Sequence, residues 1–487
     1  MEPPLPLSIH LPERGSRIRM RELHRQLRGA ILDGRLKPGL RLPATRVLAK
    51  ACGVSRNAVV ATYDLLQSEG YVVSKRGSGT CVTTALRKRS PSRTPDKEAV
   101  SDRRLAPFWR RRSRGIASPG SQPPPWVFQI GVPEFRQFPV EIWRRLSGRT
   151  LRLLRVPTAA DFDAQGKLSF RQAIALHVSF SRAVACSPED IVVTAGAQQA
   201  FELLARILVT PGKTLVAVEE PGYPPMRASF AAAGARLARV PVDNDGMSVS
   251  RIPAQAKIIC VTPSHQFPLG CVMSAGRRSQ LIEIAQSRGA ILIEDDYGGE
   301  FRFGDRPLDA LQTLDHTQAV FYVGTFSKSL HPALRLGYIV APPWARAALV
   351  EAKALADGKC APSVQDTATA FIEEGHLTRH VRKMQQTYSR RRETLLKVLH
   401  RDFAQWLEPI PSAAGLHVSA RFKGSIDDRI AVERAREAGV GIRALSEFFA
   451  GRPTLRGIAF GYGAIEQDHI EQGLELIRRA WSSGIEK

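Results

Sequence analysis

The sequence predicts a two-part fold, in which a small and mainly helical N-terminal domain precedes a large α/β domain with a mostly parallel sheet. Helical periodicity with short turns fills residues 17–83, whereas residues 84–125 are rich in Pro, Ser and Arg and lack apolar periodicity. Over residues 126–487, continuous apolar runs alternate with helical stretches, which is typical of parallel strands covered on both faces. We therefore predict a first domain over 1–83, a linker over 84–125 and a second domain over 126–487.

Length and charge restrict the class of protein. At 487 residues the chain is too long for one ordinary core, and its net charge is +24. Residues 1–83 hold 14 Lys and Arg against 6 Asp and Glu, and residues 84–125 hold 11 against 3. This concentration of charge in the first quarter indicates a polyanion partner, although a solvated basic tail has the same composition.

Membrane insertion, secretion and disulfides are not expected. The sequence has no run of about 18 or more uncharged apolar residues. The first residues, MEPPLPLSIHLPERG, contain prolines and acids where a signal peptide needs a basic segment and then an apolar one. The six cysteines stand far apart without a CxxC pair, which favours a reducing compartment and argues against a structural zinc site. We therefore expect a cytoplasmic protein without a bound metal.

The first domain has the element order of a helix-turn-helix. Apolar spacing predicts a first helix that ends near Asp33 and a second helix over about 44–52, followed by a tight turn at Gly53. The residues predicted to face the core on these two helices are Leu23, Leu27, Ala30, Ile31, Val47, Leu48 and Ala51. A third helix follows, with Val59, Tyr63 and Leu66 toward the core.

The start of the third helix carries side chains suited to reading DNA. Ser55 is placed to cap this helix, which leaves Arg56, Asn57 and Thr62 to point away from the core. Arginine can bind guanine through two hydrogen bonds and asparagine can bind adenine, and the second helix of a helix-turn-helix enters the major groove. The next stretch, YVVSKRGSGTCV, predicts a hairpin wing with a basic tip. A small helical protein-interaction domain is the alternative interpretation.

The segment LRLPATRVLAKACGVSRNAVVATYDLLQSEGYVVSKRGSGTCV resembles the DNA-binding domain of GntR-type transcription regulators over its full length. The resemblance implies a winged helix-turn-helix that binds double-stranded DNA. It places five residues at positions that contact DNA in that family, namely Arg46, Ser55, Arg56, Asn57 and Gly77. Arg41, just before the second helix, is a secondary candidate.

Three segments of the second domain carry polar groups in an order that suggests a cofactor site. TAGAQQA (194–200) places small residues and backbone amides at a helix start, where phosphate binds. IEDDYGGEF (293–301) ends a strand with two acids, and a carboxylate there can keep a pyridine nitrogen protonated. In GTFSKSLHPALRLGY (324–338), a lysine can condense with an aldehyde beside groups that hold a phosphate. The residues of this last segment that we place at the site are Thr325, Ser327, Lys328 and Arg335.

Each segment alone has an ordinary explanation, namely a common helix start, a helix cap or ion pair, and a solvated lysine. Together, on an alternating α/β frame, they resemble fold-type-I pyridoxal-phosphate enzymes of the aminotransferase class, which implies pyridoxal 5'-phosphate as the cofactor and a smaller C-terminal subdomain. The resemblance implies Lys328 as the Schiff-base lysine, Asp295 at the ring nitrogen and Tyr297 at the ring hydroxyl. We expect the adjacent Asp296 to have a structural role. The other residues that the resemblance places around the phosphate and the ring are Ala197, Gln198, Tyr223, Thr325 and Arg335.

The two halves joined in this order resemble the MocR subfamily of GntR-type regulators over nearly the whole chain. The matching segments are GAQQA, EEPGYP, TPSHQFPLG and FSKSLHPALRLGY. The resemblance implies a homodimeric regulator of a promoter operator that senses pyridoxal phosphate, or an amine or amino-acid-type effector, through an aldimine at Lys328. The alternatives are an active aminotransferase with an appended DNA-binding domain and a DNA-binding protein with a cofactor-free second domain.

Three positions depart from the aminotransferase pattern. Phe267 stands where aminotransferases have an asparagine that bonds the ring hydroxyl, and an aromatic residue is general there in the MocR subfamily. Asp161 or Phe162 stands where a tyrosine reaches the phosphate of the neighbouring subunit. Ala459 aligns with the arginine that clamps a substrate carboxylate, and Arg456 lies a short step away. These departures weaken the case for full transaminase chemistry.

Overall fold

The chain divides into two compact units, residues 1–102 and 103–487. The computed structural model describes residues 7, 9, 11–12, 16–75, 79–84, 104–112, 124–153, 163–303 and 309–485. Three residues singled out above, Gly77, Asp161 and Phe162, lie outside these ranges. None of the helices within them is long and apolar enough to cross a membrane.

The first unit contains three helices and an antiparallel hairpin. Their bounds are α1 (Ser16–Leu32), α2 (Thr45–Cys52), α3 (Arg56–Ser68), β1 (Val72–Lys75) and β2 (Gly79–Val82). The buried core draws on the three helices, the hairpin and the segment between α1 and α2, through Leu23, Leu27, Ala30, Ile31, Leu36, Leu42, Leu48, Ala49, Val59, Tyr63, Leu66, Val72 and Val82. This is the element order of a winged helix-turn-helix, so the predicted fold of the first domain is confirmed.

Two details of the predicted core are wrong. On α2, Val47 and Ala51 are exposed, whereas Leu48 and Ala49 are buried. The helix has only eight residues, so two turns of apolar pattern leave its rotation poorly determined. Thr62 does not point away from the core but is fully buried, and its hydroxyl donates to a backbone carbonyl one turn earlier at 2.8 Å.

The second unit contains a large sheet and its covering helices. In chain order its first elements are α4 (Pro107–Arg112), β3 (Trp126–Val127), α5 (Val140–Leu153), α6 (Leu168–Arg182), β4 (Ile191–Thr194), α7 (Ala197–Leu208), β5 (Leu215–Glu220), α8 (Pro224–Ala232), β6 (Arg236–Asp243), β7 (Gly246–Met247), β8 (Ile258–Val261), α9 (Ala275–Arg288), β9 (Ile291–Asp296), β10 (Val320–Thr325) and β11 (Gly337–Val340). The helix α4 lies within the segment that the sequence predicts as a linker.

Eight of these strands form one sheet in the order β4-β11-β10-β9-β8-β5-β6-β7. The neighbours β10, β9, β8, β5 and β6 run parallel, and the antiparallel pairs involve β11 and β7. Alternate residues of β5 pack into different cores, Val216 and Val218 with α7 and α8, and Ala217 with α9. The sheet is therefore covered on both faces, as its continuous apolar strands predict.

Two further helices complete the cover of the large sheet: α10 (Arg346–Asp357) packs against α7, and α11 (Pro362–Glu373) packs against α5 and α6. The rest of the chain forms a smaller C-terminal subdomain, whose elements are α12 (His376–Asp402), β12 (Leu407–Pro409), β13 (His417–Phe422), α13 (Asp428–Glu437), β14 (Val440–Gly441), β15 (Arg443–Ala444), β16 (Gly457–Gly461) and α14 (Gln467–Ser482). An antiparallel sheet in the order β12-β13-β16-β15 packs against α12, α13 and α14, and β14 pairs in parallel with β3. This arrangement confirms the predicted fold of the second domain.

Candidate functional site

A cavity of about 260 Å³ lies where the strands β4, β5, β9 and β10 end. Ligands of open α/β sheets bind at the carboxyl ends of the strands. The residues that line the cavity are Ile130, Gly131, Ala197, Gln198, Tyr223, Phe267, Asp295, Tyr297, Thr325, Ser327, Lys328, Pro332 and Arg335. The fold thus brings together all nine residues that the sequence places around a cofactor, although they come from segments more than 100 residues apart.

One end of the cavity is suited to a phosphate group. The helix α7 begins at Ala197, directly after Gly196 with φ +82°. This positive φ favours glycine, and a Cβ here would stand only 3.0 Å from the Arg335 guanidinium. The Thr325 hydroxyl donates to the Ser327 hydroxyl at 3.0 Å nearby. Backbone amides of a helix start, two hydroxyls and a guanidinium are the donors that phosphate prefers.

The Lys328 amine points to a backbone carbonyl on the opposite wall of the cavity. Its Nζ donates to the carbonyl oxygen of Gly131. Burial lowers the pKa of Lys328, and the Asp295 carboxyl opposes that shift. A lowered pKa increases the neutral, nucleophilic fraction of the amine. No pattern in the sequence signals Gly131, because it meets Lys328 only through the fold.

Three buried polar atoms of the cavity have no hydrogen-bond partner in the described part of the chain. They are Asp295 Oδ1, the Tyr297 hydroxyl and Gln198 Oε1. Burial raises the pKa of Asp295 to about 8, and the neighbouring carboxyls Asp296 and Glu219 add to the shift. Buried polar groups without partners are rare in folded proteins. A pyridine nitrogen and a ring hydroxyl would satisfy the acid and the phenol, so these residues fit a phosphorylated pyridine aldehyde.

Asp296 belongs to a separate buried network below the cavity. Its Oδ2 accepts hydrogen bonds from Arg182 Nε and from the Tyr322 hydroxyl, each at 2.6 Å. The side chains of Arg182 and Asp296 are both only 3% exposed. The ion pair joins α6 to the end of β9 next to Asp295. Sequence reasoning did not identify Arg182, because its partner lies 114 residues away.

The positions that depart from the aminotransferase pattern have different surroundings. Phe267 lines the cavity, with its ring centroid 5.3 Å from that of Tyr223 and 5.9 Å from that of Tyr297. Ala459 packs in the same apolar cluster. Arg456 does not line the cavity, since its Nη1 donates to two aspartates at the start of α13, each at 2.9 Å.

The first unit presents the other candidate site. Ser55 caps α3 by accepting a hydrogen bond from the amide of Ala58 at 3.2 Å. Arg56 and Asn57 follow on the first turn of α3, and both are exposed. Arg46 is exposed on α2. The second-rank candidate Arg41 lies beside the hairpin, where it forms a β-bridge with Cys81.

Comparisons with known proteins match both units. The family of gntR-type bacterial regulatory proteins matches residues 20–82, and class I and II aminotransferases match residues 147–456. The probable rhizopine catabolism regulatory protein MocR of Rhizobium meliloti is 36% identical over 466 residues, which cover 95% of this chain and 93% of that protein. The chain belongs to the MocR subfamily of GntR-type transcription regulators. This MocR-type regulator binds DNA through its first unit and pyridoxal phosphate through its second.

Other known proteins are similar to this MocR-type regulator either over its full length or over its second unit alone. The pyridoxine biosynthesis transcriptional regulator PdxR of Corynebacterium glutamicum is 31% identical over 464 residues, covering 95% of this chain and 96% of that protein. The crystal structure of Pyrococcus horikoshii kynurenine aminotransferase superposes with a TM-score of 0.69 at 25% identity. The superposition covers 74% of this chain and 91% of the aminotransferase chain. The fold-type-I aminotransferase architecture of the second unit is therefore established.

The exposed start of α3 leads to a prediction for DNA binding. The substitution Arg56→Ala is expected to weaken binding to a preferred DNA sequence by about 1–3 kcal/mol, because it would remove the base contact predicted for this guanidinium. Arg35→Ala removes the same charge from the same unit, where Arg35 pairs with Asp33 at the surface. Fluorescence anisotropy on preferred and scrambled duplexes measures both variants. Equal losses for Arg56→Ala on the two duplexes would show that Arg56 contacts only the phosphate backbone.

Proposed function

We propose that this regulator changes its affinity for a promoter operator in response to pyridoxal phosphate itself or to a primary amine or amino acid that reacts with the bound cofactor. The observation that carries the proposal is the single cavity in which the Lys328 amine, the Asp295 acid and a phosphate cradle converge. Bound pyridoxal phosphate supplies an aldehyde carbon that forms a covalent bond with amines and a ring that withdraws electrons from it.

Each cavity residue has a proposed role toward the cofactor. Lys328 supplies the resident amine, Asp295 keeps a proton at the ring nitrogen, and Tyr297 donates from its hydroxyl to the ring hydroxyl oxygen. Tyr223 and Phe267 shield the ring from water. The residues that hold the phosphate are Ala197, Gln198, Thr325, Ser327 and Arg335.

The contact between Lys328 and Gly131 provides a way to convert chemistry into a structural signal. Lys328 would hold the cofactor through its Nζ, and an effector amine would take the place of that Nζ one for one. An Nζ that is not bound to the cofactor donates to the Gly131 carbonyl, as it does in the structure. The segment that carries Gly131 therefore has different contacts in the two states. A ligand shifts an equilibrium only through such differences.

The DNA side of the proposal rests on the exposed start of α3. We assign the contacts to Arg46, Ser55, Arg56, Asn57 and Gly77.

We also infer a homodimer, because Leu176 and Phe180 on α6 are 72% and 95% exposed and a second copy would cover them. Two winged helices then bind half-sites one or more helical turns apart. Sedimentation velocity of the purified chain tests the dimer. We also propose that the protein acts in the cytoplasm, because its target is chromosomal DNA.

An active aminotransferase is the competing assignment. The arginine nearest to the carboxylate position, Arg456, is held by Asp427 and Asp428 rather than facing the cavity. Phe267 also cannot hydrogen-bond the ring hydroxyl. Both observations argue against repeated transamination. Production of an oxo acid over many turnovers from an amino acid and a second oxo acid would favour the enzyme over the sensor.

The proposal is tested on a DNA sequence selected by the protein from a random pool. The dissociation constant is measured for the protein stripped of cofactor, for the loaded protein, and for the loaded protein with each member of a set of primary amines. Coupling between two sites is typically on the order of 5- to 150-fold, and at least one of these changes is expected to fall in that range. An unchanged dissociation constant across the cofactor-free, loaded and amine-treated protein would refute the sensor.

A further inference from the structure

We propose that the face formed by α7 and α8 is the docking surface of the linker helix α4, and that this contact transmits the state of the cofactor site to the linker. The inference rests on the proposed sensing function and names the element that couples the two sites. Three observations support it: the aromatic residues of α4 border a groove on this face, one glutamine is shared by the groove and the cofactor cavity, and α4 is too short to be stable alone.

The groove is a cavity of about 770 Å³ that is bordered by α4, α7 and α8. From α4, Phe108 and Trp109 line it, and their rings pack edge to face with centroids 5.0 Å apart. The residues that line it from the other side are Gln198, Glu202, Ala205, Arg206, Val209, Pro211, Pro225, Ala228, Ser229, Ala232 and Ala233. The two aromatic rings of α4 and the small alanines of α7 and α8 line the same groove, and α4 also packs directly against α8, so α4 is the segment that covers this face.

The groove and the cofactor cavity share a wall. Gln198 lines both, and it lies on the first turn of α7 where the phosphate is proposed to bind. Its Nε2 donates to the Ser229 hydroxyl of α8 at 2.8 Å, while its Oε1 is buried without a partner in the ranges that the structure describes. At the start of α8, Tyr223 lines the cavity and Pro225 lines the groove. A group bound in the cavity therefore acts directly on the surface under α4.

The helix α4 depends on that surface. It has six residues, and a helix this short is not stable in water without tertiary contacts. Trp109 remains 54% exposed, so only part of its ring is covered by that surface. A weakly held segment responds to small changes in its support. Because α4 lies in the segment that leads to the first unit, its docking or release alters the length of linker available to the DNA-binding unit.

Limited trypsin digestion of the full-length protein tests the coupling, because the arginines of α4 are cleavage sites. Cleavage after residues 110–112 is followed by mass spectrometry with the cofactor bound and after its removal with hydroxylamine. Docking is expected to make cleavage about fivefold slower in the loaded protein, because proteolysis follows the population of the open form. Equal cleavage rates in the two states would overturn the inference.

Two variants and a control separate coupling from folding. Trp109→Ala is expected to be cleaved rapidly in both states, and Ser229→Ala is expected to keep the cofactor absorbance while losing the protection. Trp344→Ala is the matched control, since Trp344 lies in the same unit and is also 54% exposed but lines a different cavity. It should behave like the wild type. If Trp109→Ala and Ser229→Ala retain the full cofactor-dependent protection, the inference is wrong.

The same variants distinguish the failure of this inference from that of the sensing function. Cofactor-dependent DNA binding that persists unchanged in Trp109→Ala would leave the sensing function intact and refute α4 as the coupling element. Wild-type DNA binding that ignores both cofactor and amines would refute the sensing function. Loss of the DNA response in Trp109→Ala but not in Trp344→Ala is the result that supports both.

Discussion

The substitution Lys328→Ala is expected to remove nearly all cofactor that survives dialysis, together with the visible absorbance of the purified protein and the response of DNA binding to amines. Lys328 is the amine of the cavity, and burial lowers its pKa toward the range in which it reacts. Alanine retains the phosphate cradle but removes the nucleophile. Absorbance spectra before and after dialysis measure the loss, and circular dichroism verifies that the variant is folded.

Two matched variants show whether the loss reflects covalent chemistry. Lys328→Arg retains the positive charge but has a guanidinium that does not condense with the aldehyde under these conditions, so it is expected to behave like Lys328→Ala. Lys423→Ala removes an exposed lysine that donates to the Ala404 carbonyl, far from the cavity along the chain, and should keep the absorbance. A dialysed Lys328→Ala protein with the wild-type spectrum would show that another group binds the cofactor.

Replacing Arg182 with alanine is expected to lower the free energy of unfolding of the second unit by about 3–5 kcal/mol. The reason is that Asp296 remains buried while its cationic partner is lost, and both side chains are 3% exposed in the native protein. The Tyr322 hydroxyl still donates to Asp296 but carries no compensating charge. Urea denaturation followed by tryptophan fluorescence measures the change.

An exposed arginine provides the control for this prediction. Arg421 pairs with Glu408 at the surface, where the two side chains are 52% and 50% exposed. Arg421→Ala should therefore change stability by only about 0–1 kcal/mol, because water screens the pair. Similar effects of the two substitutions would mean that the Arg182 pair contributes no more than a surface ion pair.

The sequence predicts the central strands well because they are buried on both faces. The continuous apolar runs that predict strands stand at 191–194, 214–220, 257–262, 290–296 and 320–326, and they correspond to β4, β5, β8, β9 and β10 of the large sheet. The strand β6 was not predicted, since exposed and half-buried positions interrupt its apolar residues. The strand β11 was not predicted either. Its four residues overlap the end of the segment 324–338, which we interpreted as part of the cofactor site because of Lys328 and Arg335. Burial on one face only, or a short length, leaves no continuous apolar run.

The helix α4 shows a different limit of sequence reasoning. Its residues, PFWRRR, have no helical periodicity and stand in a Pro-, Ser- and Arg-rich segment. The helix packs against α8 and borders a groove with α7 and α8, and the residues of these two helices stand about 90 to 130 positions later. Nothing local to the segment therefore distinguishes it from linker.

The candidate cofactor site divides in the same way. Residues that are neighbours in a motif, such as Thr325, Ser327 and Lys328, can be proposed from their order and spacing. Gly131 and Arg182 cannot, because each matters only through a contact with a residue more than 100 positions away. Arg456 illustrates the opposite case. Its position in the sequence suggests a carboxylate-binding residue, but its side chain pairs with Asp427 and Asp428 instead.

Mass spectrometry of borohydride-reduced protein tests the central claim most directly. The protein is loaded with pyridoxal phosphate, reduced, digested and mapped. One phosphopyridoxyl group is expected, attached to Lys328, and no such group is expected when an excess of an effector amine is added before reduction. Reduced protein without an adduct on Lys328, or with the adduct mainly on other lysines, would contradict it.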